Sequence, residues 1–310
     1  MPHMRFAISI PQFYGDGEFD PGEFRAYFHR AEELGFHSAW AQESVLGSGP
    51  QLAPLEVMTY AAAVTERIRL GCVVFVSTLH TPAHLAKSLG TLDQLSGGRV
   101  EIGIGTGGKA RPFAAFGLSA DRYVARFTEG LALMKALWTD PVVTFEGEFW
   151  QLNRAGMEPK PVQKPHPPIW FGANGPTALR RAARLGDGFF GAGSSSTAQF
   201  AEQVQVVRAG LAESGRSASD YPIAKRVYIV IDDDRDRATQ SMSAAIAQMY
   251  GRPMPTIEAA AVTGTPDDCA AQVAEVAAAG AELILFTSMT SPAVQMERIA
   301  AEVIPQLAVS

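Results

Sequence analysis

The chain has 310 residues, 47% of them apolar and 19% charged, with a formal net charge of −6. This is globular composition with enough apolar residues for a large core, and the acidic balance argues against a nucleic-acid binder, which is more often basic. Cys72 and Cys269 are too few and too far apart for a zinc site or a disulfide framework, and no apolar run approaches the roughly 20 residues that span a bilayer, so the expected location is cytoplasmic.

Arg5–Ile10 reads as a short apolar strand that Pro11-Gln12 ends. Asp20-Pro21 predicts an N-cap followed by Pro at the first helical position. Phe24, Phe28, Ala31 and Leu34 recur at helical spacing, and Gly35 stops the helix. Ser38–Ala41 is a second strand, ending in Gln42-Glu43-Ser44. A helix at about Leu55–Thr65, a strand over Leu70–Phe75 and a helix opened by Thr81-Pro82 follow, with Leu85, Leu89 and Leu92 on one helical face. That helix runs into Leu92-Asp93-Gln94-Leu95-Ser96-Gly97-Gly98-Arg99, where Gly97 and Gly98 suit a left-handed cap. Val100–Ile104 is a fourth strand, and it runs into Gly105-Thr106-Gly107-Gly108.

Arg122–Trp138 is helical. Val142–Leu152 alternates apolar and polar residues around Glu146-Gly147, a hairpin signal. Pro159–Pro168 is an extended, proline-rich connector. Ile169–Ala173 is the fifth barrel-type strand, with a helix over Pro176–Leu185. Gly188–Ala192 and Ala224–Ile231 are strands, with helices over Phe200–Glu213 and Asp236–Tyr250. A short excursion precedes a helix over Pro266–Ala279. A strand over Glu282–Phe286 and a helix over Pro292–Leu307 close the chain. Eight strands alternating with eight helices predict an α/β fold. The expected architecture is a (β/α)8 TIM barrel over 1–310 as one domain, with insertions after strand 4 and in the second half. A doubly wound open sheet is the alternative; the lack of G-x-G-x-x-G after the first strand counts against it.

In a barrel, chemistry belongs at the C-terminal ends of the strands. Phe171-Gly172-Ala173-Asn174-Gly175-Pro176-Thr177 is a strand end, two glycines and a helix begun by Pro. Free N–H groups and the helix dipole there make an anion site. Arg180, Arg181 and Arg184 read as a cationic last turn rather than as ligands. The glycine-rich stretch after Ile104 suits close approach of a planar or phosphorylated ligand, and on pattern alone it is equally a tight connector. Glu43 is the acidic residue at the end of the second strand; it reads as a general acid or, as partly exposed glutamates usually do, as a solvated or salt-bridged group. The six histidines show no metal-ligand spacing; His80 and His84 are four apart, but His80 precedes the Pro82 helix start. No metal is expected, and no G-x-S-x-G elbow is present.

The stretch from Leu92 to Arg99, followed by Gly103-Ile104-Gly105-Thr106-Gly107, resembles the luciferase-like monooxygenase superfamily of flavin and deazaflavin enzymes. The resemblance covers about residues 5–290. It implies a cofactor phosphate at the Asn174-Gly175-Pro176-Thr177 helix start next to Ala173, with Thr106 and Gly107 also at the cofactor. It further implies a non-proline cis peptide at Val73-Val74 behind the cofactor ring. Gly175-Pro176 resembles the deazaflavin members, methylene-tetrahydromethanopterin reductase and deazaflavin glucose-6-phosphate dehydrogenase among them. Luciferases carry His where this chain has Ser44 and a phosphate-gripping Arg where it has Thr106; the glucose-6-phosphate enzyme carries a catalytic Glu where it has Gly108. The resemblance therefore implies an oxidoreductase transferring a hydride between coenzyme F420 and a small organic substrate, with Glu43 as the candidate catalytic residue. An FMN-dependent monooxygenase fed by a separate reductase is the alternative, and a non-catalytic flavin or ligand carrier is a third reading. Expected partners are the substrate, that reductase under the FMN alternative, and a second copy of the chain in a homodimer, with neither nucleic acid nor membrane.

Overall fold

The computed structural model describes residues 4–14, 18–47, 49–108 and 113–307. Its strands in chain order are β1 (Arg5–Ser9), β2 (Ser38–Ala41), β3 (Arg69–Val76), β4 (Val100–Gly105), β5 (Val143–Glu146), β6 (Gln151–Ala155), β7 (Ile169–Gly172), β8 (Gly188–Gly191), β9 (Ile223–Ile231), β10 (Val262–Gly264) and β11 (Leu283–Ser288). Strands β1, β2, β3, β4, β7, β8, β9 and β11 pair in that order, all parallel, and β11 returns to β1. The barrel is closed, as the alternation of elements predicts, and the open sheet is excluded. β10 adds to the far end of β9, while β5 and β6 form the expected antiparallel hairpin outside the barrel.

The principal helices are α1 (Pro21–Glu33), α2 (Pro54–Val64), α3 (Pro82–Leu95), α4 (Tyr123–Thr139), α5 (Pro176–Leu185), α6 (Thr197–Glu213) and α7 (Arg235–Tyr250). α1 starts where Asp20 accepts from the N–H groups of Gly22 and Glu23. α6 starts three residues before the expected Phe200, because Ser196 and Gln199 form a reciprocal capping box. The closing helix over 292–307 is interrupted by a π-helical turn at Ile299–Val303. The proline-rich connector holds cis bonds at Glu158-Pro159 and Lys164-Pro165.

Inside the barrel, Trp40, Trp170 and Phe190 pack edge to face with centroids 4.8–6.1 Å apart, joined by Ala7, Ala224, Leu283 and Leu285. A Cβ at Gly71 would overlap the Trp40 ring and one at Gly188 the Trp170 ring, so glycine at those strand positions makes room for the indoles. These three rings fill the barrel's middle. The apolar outer faces of the strands pack on the helices in a second, larger core.

Leu92–Arg99 works at the opposite, N-terminal face. Gly97 and Gly98 both adopt positive φ. Buried Arg99 donates to the carbonyls of Ser96, Ile68, Ala62 and Thr65 and to the Thr65 hydroxyl, tying the end of α2 to the start of β4. Buried Asp93 accepts from the backbone and side chain of Gln163 and so holds the proline-rich connector. This part of the sequence signature is scaffold.

Candidate functional site

At the C-terminal end of β3 the peptide between Val73 and Val74 is cis, as the resemblance implies, and the pairing with β4 shifts register between Cys72 and Phe75. The glycines around this bulge have a direct steric cause. A Cβ at Gly103 would overlap the Cys72 carbonyl oxygen; one at Gly105 would stand 2.8 Å from Val74 Cγ2, and one at Gly172 2.9 Å from Val74 Cγ1. Gly103 and Gly105 thus accommodate the bulge; for Gly105 the sequence suggested ligand approach instead. Gly107 and Gly108 have positive φ, at 70° and 73°, where only glycine is unstrained; Lys109 lies outside the described residues. Val73 is half-buried and packs on the aromatic plug from above.

The bulge links the predicted positions. Val74 reaches β4 just before Thr106 and β7 just before Ala173. The Thr106 carbonyl accepts from the Thr78 hydroxyl at 3.0 Å. Asn174, Gly175, Pro176 and Thr177 are exposed, and α5 begins at Pro176 without a side-chain cap, leaving its first N–H groups free of intrahelical partners. Gly175 is extended, with φ −85°, and a Cβ there would meet nothing within 4 Å. The glycine leaves open the space in front of the helix.

Glu43 departs from the partly exposed reading. Its side chain is only 3% accessible, accepting from the Val76 N–H at 2.6 Å and facing His80 Nε2 at 2.7 Å. A carboxylate acceptor requires the proton on Nε2, which leaves Nδ1 as the second functional nitrogen of the ring. His80 also stands edge-on to Phe75 and lines a small cleft with Ser77, Arg126 and Trp150. Across the mouth, Arg226 donates to the Thr287 hydroxyl and to the side-chain oxygen of Gln42, while Gln12 braces the Gln42 backbone from both sides. The sequence placed Gln42 at a candidate strand end without a role, weighed His80 only as a metal ligand, and did not single out Arg226. The available signal was Lys225-Arg226, two cations inside a wholly buried nine-residue strand.

The outer wall comes from α4 and the hairpin. Arg126 stacks on Phe149 and Trp150, with its guanidinium carbon 5.1 and 5.0 Å from the ring centroids. The Glu129 carboxylate accepts from the N–H groups of Glu148, Phe149 and Trp150 at 2.8–3.0 Å. Among the described residues no group of His, Cys, Asp and Glu is arranged to hold a metal, and no helix is long and apolar enough to cross a membrane.

The family profile described as luciferase-like monooxygenase matches residues 4–283. An F420-dependent glucose-6-phosphate dehydrogenase of Intrasporangium calvum is 34% identical over 231 residues, covering 71% of this chain and 68% of that protein. An FMNH2-dependent dimethylsulfone monooxygenase of Pseudomonas putida is 29% identical over 224 residues, covering 70% and 60%. The structure of monooxygenase RslO1 from Streptomyces bottropensis superposes with a TM-score of 0.85 at 25% identity, covering 97% of this chain and 99% of that one.

Proposed function

The chain belongs to the luciferase-like monooxygenase family, and from that premise we propose that it is an oxidoreductase transferring a hydride between coenzyme F420 and a small organic substrate. The observation that carries this reading is the junction of the Val74 bulge with Gly172, four residues before the uncapped start of α5 at Pro176. A flat apolar backing and an anion-binding helix end thus stand side by side, which fits a cofactor with a planar ring and a phosphate. The F420-dependent relative supports the choice of cofactor, as does Thr106 at a position where a phosphate-gripping arginine belongs to luciferases.

Bound F420 supplies a hydride donor or acceptor at C5 of its deazaflavin ring. In this reading the N–H groups of Thr177 and Ala178, with the Thr177 hydroxyl, bind the phosphate. Val73 and Val74 back the ring, and the Thr106–Gly107 main chain borders it. Glu43 orients His80 and fixes a proton on Nε2, and the ring's Nδ1 exchanges a proton with the substrate oxygen. The wall of Arg126, Phe149 and Trp150 restricts water.

The FMNH2-dependent relative favours a second reading, an FMN monooxygenase supplied by a separate reductase. Titration of cofactor-free protein with F420 and with FMN, followed by absorbance and fluorescence, separates the two. F420 is expected to bind more tightly. FMN binding at least tenfold tighter, about 1.4 kcal/mol, overturns the assignment in favour of the second reading.

A further inference from the structure

Arg226 is nine-tenths buried in the barrel mouth, yet its Nη2 has no hydrogen-bond partner among the described residues, and none of their carboxylates lies within ion-pair distance. Its other edge is fixed. Nε donates to the Thr287 hydroxyl at 2.8 Å, Nη1 to Gln42 Oε1 at 3.0 Å, and the Thr287 hydroxyl is held in turn by Ser9 at 2.6 Å. The Tyr228 ring lies over the guanidinium at 4.9 Å, and the Tyr228 hydroxyl contacts that of Tyr250, the exposed last residue of α7. A buried guanidinium without a counter-charge is costly to fold around, and its neighbours here are neutral. They hold the group in place and leave one N–H edge unspent. Since Arg226 can only donate, the Gln42 atom facing it is the oxygen, which turns the Gln42 amide nitrogen outward as a second donor on half-buried Gln42.

We propose that Arg226, with Gln42 beside it, is the substrate-anchoring residue of this mouth, and that the substrate carries an anionic oxygen group, a carboxylate or a phosphate. The proposal rests on the reading of the barrel mouth as the reaction site.

The test uses cofactor-free protein with acetate and inorganic phosphate as probes at constant ionic strength, reading the thermal midpoint and the probe affinity. At least one probe raises the midpoint of the parent, and the stronger of the two tells a carboxylate substrate from a phosphorylated one. In Arg226→Met the affinity falls roughly tenfold or more, while the midpoint without probe stays level or rises, because an unpaired buried charge has been removed. Arg226→Lys keeps the charge and most of the packing but loses the planar fork; it also binds the probe more weakly, and it carries the test if the Met variant does not fold. Gly175→Val keeps the acetate response and the Arg226-dependent part of the phosphate response, which separates this site from the start of α5. The proposal is overturned if neither probe stabilises the parent, if the Arg226 variants respond as the parent does, or if Gly175→Val alone abolishes the response. No cofactor enters the assay, so failure of the F420 assignment leaves its outcome unchanged.

Discussion

Val74 occupies the space that side chains at residues 105 and 172 would need, with Cγ2 2.8 Å and Cγ1 2.9 Å from the ideal Cβ positions. β4 and its next neighbour β7 therefore each carry glycine at the end for the same valine. Gly105→Ala is expected to cost about 1–3 kcal/mol through overpacking, read by urea denaturation. Adding Val74→Ala removes both offending methyls and recovers most of that loss. If the double variant is as unstable as the sum of the two single ones, the glycine answers to something other than Val74.

The Glu43–His80 pair gives a second expectation. Glu43→Gln and His80→Asn each lower turnover roughly a hundredfold or more, within the range for general acid–base groups. Cofactor affinity stays within a few-fold, because neither side chain is assigned to the phosphate or the ring. Turnover close to the parent's in His80→Asn removes the histidine from the mechanism and leaves Glu43 as an anchor for the Val76 N–H.

At the start of α5, Thr177→Ala tests one hydroxyl while keeping the helix. A hydrogen bond to a charged group contributes about 1.5–3 kcal/mol, so F420 affinity is expected to fall about tenfold. Gly175→Val is expected to reduce it further. The extended φ of −85° accepts valine without strain, and the new side chain projects into the open space before the helix. Two variants that fold normally and bind as the parent does place the phosphate elsewhere.

Burial, with Arg5 and Arg69 nearby, pushes His37 down from 6.5 to about 4. Between those values the unfolded chain takes up a proton that the folded chain refuses. The contribution of neutral His37 is thus complete above about pH 6.5 and is lost as pH falls toward 4. Thermal midpoints across this window should fall more steeply in the parent than in His37→Asn; parallel curves refute the assignment.

The fold was legible because its signals are local. Pro after a cap residue opens α1, Gly35 ends its turn with a φ of 79°, and the strands are short apolar runs. Missed boundaries trace to particular chemistry, as with the Ser196–Gln199 capping box that lengthens α6. The site was less legible because its key contacts cross the barrel. Glu43 and His80 are 37 residues apart and Gln42 and Arg226 184 apart, and no periodicity predicts such meetings. The neighbours Lys225 and Arg226 show the difficulty. Alternation sends Lys225 outward, where it donates to the carbonyls of Ala192 and Ser195 and burial pushes it down to about 7; Arg226 points inward to the mouth. One strand hides a loop clamp and a binding group in consecutive letters.

Glu129 grips the hairpin through the main-chain N–H groups of Glu148, Phe149 and Trp150. A grip on backbone is indifferent to spelling. Changes at residues 148 and 149 leave these backbone hydrogen bonds in place, whereas Trp150 also packs on the apolar core; Phe149 and Trp150 face Arg126. The hairpin is therefore an interchangeable panel on a fixed hinge plate: new preferences for substrate can arise there by single substitutions, while the barrel that positions the chemistry stays as it is.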